Sequence, residues 1–239
     1  MDTMGVYGKL PGLGDFVNRR LPRDFVQAID TWMQSMIGDS RELLGEGWLE
    51  HYLGAPIWRF VLGPGTIGDP LWLGALVPSV DRVGRYFPFV VATPAPWQTD
   101  VGSALLALES WHDALERHCL HALEARADFD GLDAGLQRLV LPRRIPPRVQ
   151  DDEDDTLPLP RSRPLAAVVN LGEGAPLQEA VVRGRSLLGA APRAACLWSA
   201  QAADGGTLLL VTEGLPNGRF SAALVDGSWQ QSGWECIAP

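Results

Sequence analysis

The sequence predicts an α/β layered domain, a sheet covered by helices and broken by one insertion. Two observations carry that expectation. Short apolar runs rich in β-branched and aromatic residues alternate, along the whole chain, with segments whose apolar residues recur every three or four positions. With 239 residues and 46% hydrophobic content, the chain has ample material for a packed core.

Taken in order, Val6 and Tyr7 read as a short strand, followed by a turn whose glycines and proline, Gly8, Pro11, Gly12 and Gly14, fix a sharp backbone path. Pro22 to Leu44 reads as a helix, because Phe25, Val26, Ile29, Trp32, Met33, Met36 and Ile37 fall on one stripe. Trp48, Leu49, Tyr52 and Leu53 predict a shorter helix ending near Gly54. Ile57 to Leu62, Leu71 to Val77 and Phe87 to Thr93 are bounded by glycine or proline and read as strands. The helical period returns at Val101 and runs through Leu105, Leu108, Trp111, Leu115 and Cys119 to Ala122. A second segment carries Phe129, Leu132, Leu136 and Leu139.

Pro142 to Pro164 breaks the pattern with prolines, arginines and the run Asp151 to Asp155, and reads as an exposed insertion with nothing to bury a face. Beyond it come a strand at Leu165 to Val169, a helix at Pro176 to Leu188, strands at Ala194 to Trp198 and Thr207 to Val211, and a last helix near Pro216 to Asp226. The expected organisation is an N-terminal α/β part over 1–141, the insertion over 142–164, and a C-terminal part over 165–239 packed on the same domain. Strand order does not follow from the sequence.

A net charge of −9 and a pI near 4.9 disfavour polyanion partners, and the dispersed arginines form no strong basic patch, so nucleic acid is not expected as a ligand. Three cysteines without paired spacing fit a reducing cytosol. With no signal core and no long apolar span, a cytoplasmic location is expected.

Two dense segments remain. The first, Gly5 to Arg19, holds Lys9, the only lysine of the chain, together with Asp15, Phe16 and Arg19. It is not a phosphate loop: the lysine precedes the glycines, and Asp15 stands where a phosphate-binding loop needs a hydroxyl. The second, Pro78 to Pro88, places Asp81, Arg82, Arg85 and Tyr86 between two strands. Its two guanidinium groups suit an acidic or phosphorylated partner surface. The alternative reading is that Asp81 pairs with an arginine and caps the loop.

Glu109 and His112 lack the second Glu-x-x-His pair of a helical metal site, and His118 and His121 lack further ligands, so no metal is expected. No Gly-x-Ser-x-Gly motif or polar, glycine-rich cysteine setting is present, so no catalytic residue and no cofactor are expected. Most of the nine tryptophans read as core, with Trp229 and Trp234 as candidates for a contact surface.

Gly8-Lys9-Leu10-Pro11 with Gly14-Asp15-Phe16 and Arg19, then Ala55-Pro56-Ile57-Trp58-Arg59-Phe60, then Pro78-Ser79-Val80-Asp81-Arg82-Val83-Gly84-Arg85-Tyr86-Phe87-Pro88, resemble in that order the TagF family, also called ImpM, of bacterial type VI secretion. The resemblance is strong over Gly5 to Pro94 and looser beyond, where Cys196-Leu197-Trp198 and Gly214-Leu215-Pro216 are similar to a later strand and turn. It implies a layered α/β/α sandwich with a mixed sheet and a cytoplasmic, non-enzymatic accessory protein that restrains the apparatus after translation. The partner it implies is the system's forkhead-associated scaffold protein. Some relatives carry a fused metal-dependent phosphatase domain, which is not expected here. The resulting expectation is one partner-binding surface built from Lys9, Asp15, Phe16, Arg19, Asp81, Arg82, Arg85 and Tyr86. The alternatives are an uncharacterised enzyme with its site on the same loops, and motifs that are purely architectural.

Overall fold

The computed structural model describes residues 4–124, 128–145, 166–188, 194–202 and 204–237. The insertion expected over 142–164 lies, from residue 146 onward, outside them. The chain opens with strands β1 (Gly5–Gly8) and β2 (Val17–Arg19), followed by helix α1 (Arg23–Leu44), a 3-10 turn (Gly45–Gly47) and helix α2 (Trp48–Gly54). Strands β3 (Trp58–Leu62), β4 (Trp72–Val77) and β5 (Phe89–Pro94) precede helices α3 (Val101–Ala107), α4 (Glu109–Ala122) and α5 (Phe129–Leu136). Strand β6 (Ala166–Leu171), helix α6 (Leu177–Leu188), strands β7 (Ala195–Gln201) and β8 (Thr207–Glu213), helix α7 (Arg219–Asp226) and strand β9 (Glu235–Ile237) complete it.

Among the described residues these strands form one nine-stranded sheet, in the order β2-β1-β5-β4-β3-β7-β8-β6-β9. Neighbours run antiparallel except β6 and β9, which are parallel, so the sheet is mixed. Side chains alternate across it with period two. Phe60, Leu62, Trp72, Val90, Trp198 and Leu210 meet the buried stripe of α1 with α2 and α7, while Val61, Leu73, Val91, Leu197 and Leu209 face α3 to α6. The result is the expected α/β/α sandwich. Strands covered on both faces read as continuous apolar runs, which is why β4 is buried at every position.

Four features depart from expectation. The turn after β1 contains β2, of which only Val17 is buried, so its backbone pairing leaves no apolar pattern to read. The C-terminal tail contains β9, which adds to β6 while its side chains stay largely outside the core. The helix expected from Val101 to Ala122 divides at Leu108, whose φ of −105° and ψ of 8° leave the helical region although its side chain is buried. Trp234, a candidate for a contact surface, is instead buried, and Trp229 packs edge-on against it and against Trp58.

Candidate functional site

The two dense segments meet at one end of the sheet, brought together by backbone geometry. Gly8 closes β1 with φ of +131° opposite Phe89 of β5, and a Cβ there would lie 2.1 Å from the Pro88 carbonyl oxygen. Only glycine admits that approach. The loops are then tied through Ser79, whose hydroxyl donates to the Lys9 carbonyl at 2.7 Å. From α2, the Tyr52 hydroxyl donates to the Ser79 carbonyl at 2.9 Å and accepts from its amide at 3.0 Å. Burial pushes the Tyr52 phenol well above its ordinary range, so it stays protonated as this clamp requires. The Arg82 amide donates to the Leu13 carbonyl at 2.9 Å, a second tie between the loops.

Asp81 is the centre of the arrangement and is buried. Its Oδ1 accepts from the amides of Val83 at 3.0 Å and Arg85 at 2.9 Å, and its Oδ2 accepts from Lys9 Nζ at 3.0 Å and Arg85 Nε at 2.6 Å. Desolvation alone would raise the carboxyl's pKa. The hydrogen bonds from the Arg85 backbone, Lys9, the Arg85 side chain and the Val83 backbone outweigh it and hold the group well below the usual carboxylate range. Lys9 is buried too, with its ammonium 4.9 Å from the centre of the Phe16 ring. Phe16 stacks on Tyr7 and meets Phe87 edge-on, yet remains 43% exposed.

The rest of the loop faces outward. Arg85 reaches back to the Gly14 carbonyl through Nη2 at 2.6 Å. Arg82 lies along Gly14 on the other side, where a Cβ would come within 3.0 Å of its Nη2. Val83, at the tip, is 65% exposed. Asp15 is exposed and accepts from the Phe16 amide at 2.8 Å. Two expected site residues turn elsewhere. Arg19 lies over Phe129 of α5 and within 4 Å of Asp130 and Asp133, while Tyr86 is half-buried against Trp48 and Tyr52. Sequence reasoning missed Tyr52 and the tie made by Ser79. Tyr52 read as one more apolar residue of a helix, and nothing in one sequence signals a clamp between residues so far apart.

Burial is the leading influence on the other perturbed titratable groups. Burial, then the charge of Arg59, pulls His112 down to about 3. Burial raises both Cys119 and Cys196, the latter to about 11, which keeps these thiols un-ionised. Arg59 is held by Asp113 at 2.9 Å and Glu116 at 2.5 Å in a surface cleft of about 420 Å³ also lined by Leu120 and by Arg117, whose Nε donates to the Asp113 carbonyl at 3.2 Å. Among the described residues no three His, Cys, Asp or Glu side chains group as metal ligands. No helix among them is long and apolar enough to cross a membrane.

The family model of the TagF N-terminal domain, type VI secretion system-associated, matches residues 5–139, which include both loops and the helices behind them. The chain belongs to the TagF family. Among solved structures, the crystal structure of PA0076 from Pseudomonas aeruginosa PAO1 is similar at 31% identity, with 95% of each chain covered and a TM-score of 0.70. The TagF match ends before β6, whereas the likeness to PA0076 extends over nearly the whole chain. No curated protein matches the sequence at a significant level.

Proposed function

We propose that this TagF-family protein is a cytoplasmic, non-enzymatic regulator of type VI secretion, a post-translational repressor that binds the forkhead-associated scaffold protein through the face formed by its two loops. The observation that supports the reading is a division within the motifs. Lys9, Asp81 and Ser79 are buried and build the loops, whereas Asp15, Phe16, Arg82 and Val83 are presented to solvent by that frame. Exposed side chains held on a rigid frame form a surface that a partner can read without first ordering it.

The test is isothermal titration of the purified scaffold protein with wild type and with Arg82→Ala, after circular dichroism has shown both folded. Binding by wild type that Arg82→Ala weakens at least about tenfold is the expected result. Equal binding by both removes this face from the interaction. A purely architectural role is favoured for Lys9 and Asp81 by their burial. For the whole motif it predicts that Arg82→Ala has no effect on partner binding.

A further inference from the structure

Resting on that reading, the loop geometry narrows the partner's chemistry. We propose that Arg82 and Arg85 form a paired guanidinium clamp for carboxylate side chains, and that the segment they hold is an acidic stretch with apolar residues between its carboxylates.

Both guanidinium groups converge on Gly14. Arg82 packs along its Cα side, and Arg85 donates to its carbonyl. Arg85 is half engaged, since Nε and Nη2 are committed to Asp81 and Gly14 while the side chain remains 54% exposed. Arg82 is positioned by its backbone bond to Leu13 but makes no ion pair among the described residues. A planar guanidinium with its N–H edge toward solvent matches the two oxygens of a carboxylate. Asp81 does not compete for it, because both its oxygens are consumed inside the loop.

The choice of carboxylate over phosphate follows from the backbone. Phosphate sites recruit converging main-chain amides. Here the amides of Asp81, Arg82, Val83, Gly84 and Arg85 all donate within the protein, to Arg85 O, Leu13 O, Asp81 Oδ1, Asp81 O and Asp81 Oδ1 in turn. Those five amides are closed to an anion, so on this loop recognition falls to the side chains. Val83 and Phe16, exposed beside the clamp, supply apolar contacts between the charged ones. Asp15, exposed next to Gly14, adds a charge of the wrong sign for such a partner and sets a limit on affinity that a neutral replacement would lift.

The side-chain N–H signals of Arg82 and Arg85, followed by NMR, test this with a synthetic peptide alternating glutamate and leucine. A second peptide carries glutamine for glutamate, and a third carries phosphothreonine. The clamp predicts saturable shifts of both arginine signals with the glutamate peptide alone. It also predicts weakening by about tenfold or more in Arg82→Ala, and strengthening of about two- to threefold in Asp15→Asn. No shifts with the glutamate peptide, equal shifts with the glutamine peptide, or tighter binding of the phosphothreonine peptide overturns it. The scaffold titration separates this from the parent reading. If Arg82→Ala abolishes scaffold binding while the glutamate peptide is inert, the carboxylate clamp fails and the two-loop interface stands.

Discussion

A lysine ammonium out of water needs its charge answered, and Lys9 has one carboxylate to answer it, on Asp81. Lys9→Met leaves Asp81 with Arg85 and two amides but strips its Oδ2 of one charged hydrogen bond at a buried site, so it is expected to cost about 2 kcal/mol in urea unfolding. Arg82→Ala, on the exposed side, is expected to stay within about 0.5 kcal/mol of wild type. That pair of measurements separates frame from surface. Acid separates two more residues. His112 has a folded pKa below its ordinary 6.5, so its contribution to stability is complete above about 6.5 and is lost as pH falls toward 3. Asp81 is also depressed, so its contribution is complete above about 4 and is lost only at lower pH. His112→Leu is therefore expected to flatten the pH dependence of the unfolding midpoint between about 6.5 and 4, leaving the steeper acid loss below it. A constant slope in the variant would place the titration elsewhere. Lys9 and Asp81 were both legible as motif residues, but nothing in their spacing reveals that they pair, because the contact is made across a sheet the sequence does not order.

Among the elements, the glycine-rich turn and the β4–β5 loop act as one unit because α2 supplies the Tyr52 clamp. Tyr52→Phe removes two hydrogen bonds at a buried site and leaves the Ser79 amide without its partner, while the Ser79 carbonyl keeps the Phe87 amide, which is expected to destabilise by about 2 kcal/mol. Gly14→Ala tests the other side of the unit. The new methyl would crowd only the mobile end of Arg82, so near-normal stability with weakened scaffold binding is expected. Unchanged binding would show that the position of Arg82 is immaterial. Most elements were readable because period and punctuation agree over α1, β3, β4 and β5. β2 and β9 were not, since each has three residues and takes its place from backbone pairing at a sheet edge rather than from burial. Tyr86 lay in the expected site segment, yet its aromatic ring is used against Trp48 and Tyr52, a distinction between packing and display that side-chain type does not carry.

At the scale of the molecule, the TagF match stops at residue 139 but the sheet does not. β3 pairs with β7 from Arg59↔Ser199 to Leu62↔Cys196, and the Phe60 ring meets Trp198. A fragment of residues 1–141 would present that strand as a bare apolar edge. It is expected to aggregate in gel filtration, and a monodisperse, folded fragment would show that the first part is independent of the second. The overall charge of −9 gives the exposed arginines of the two-loop face a contrasting background, so their attraction for an acidic partner is local and falls with salt. The 72-residue separation of Lys9 and Asp81 has a consequence in time. At roughly 5–20 residues per second, the ribosome releases the first half of this surface on the order of 4–14 s before the second exists. The face is absent from every nascent or clipped chain that lacks either half. A partner that recognises it can therefore be occupied only by chains that carry both halves, and a short peptide copied from either stretch carries the residues without the shape.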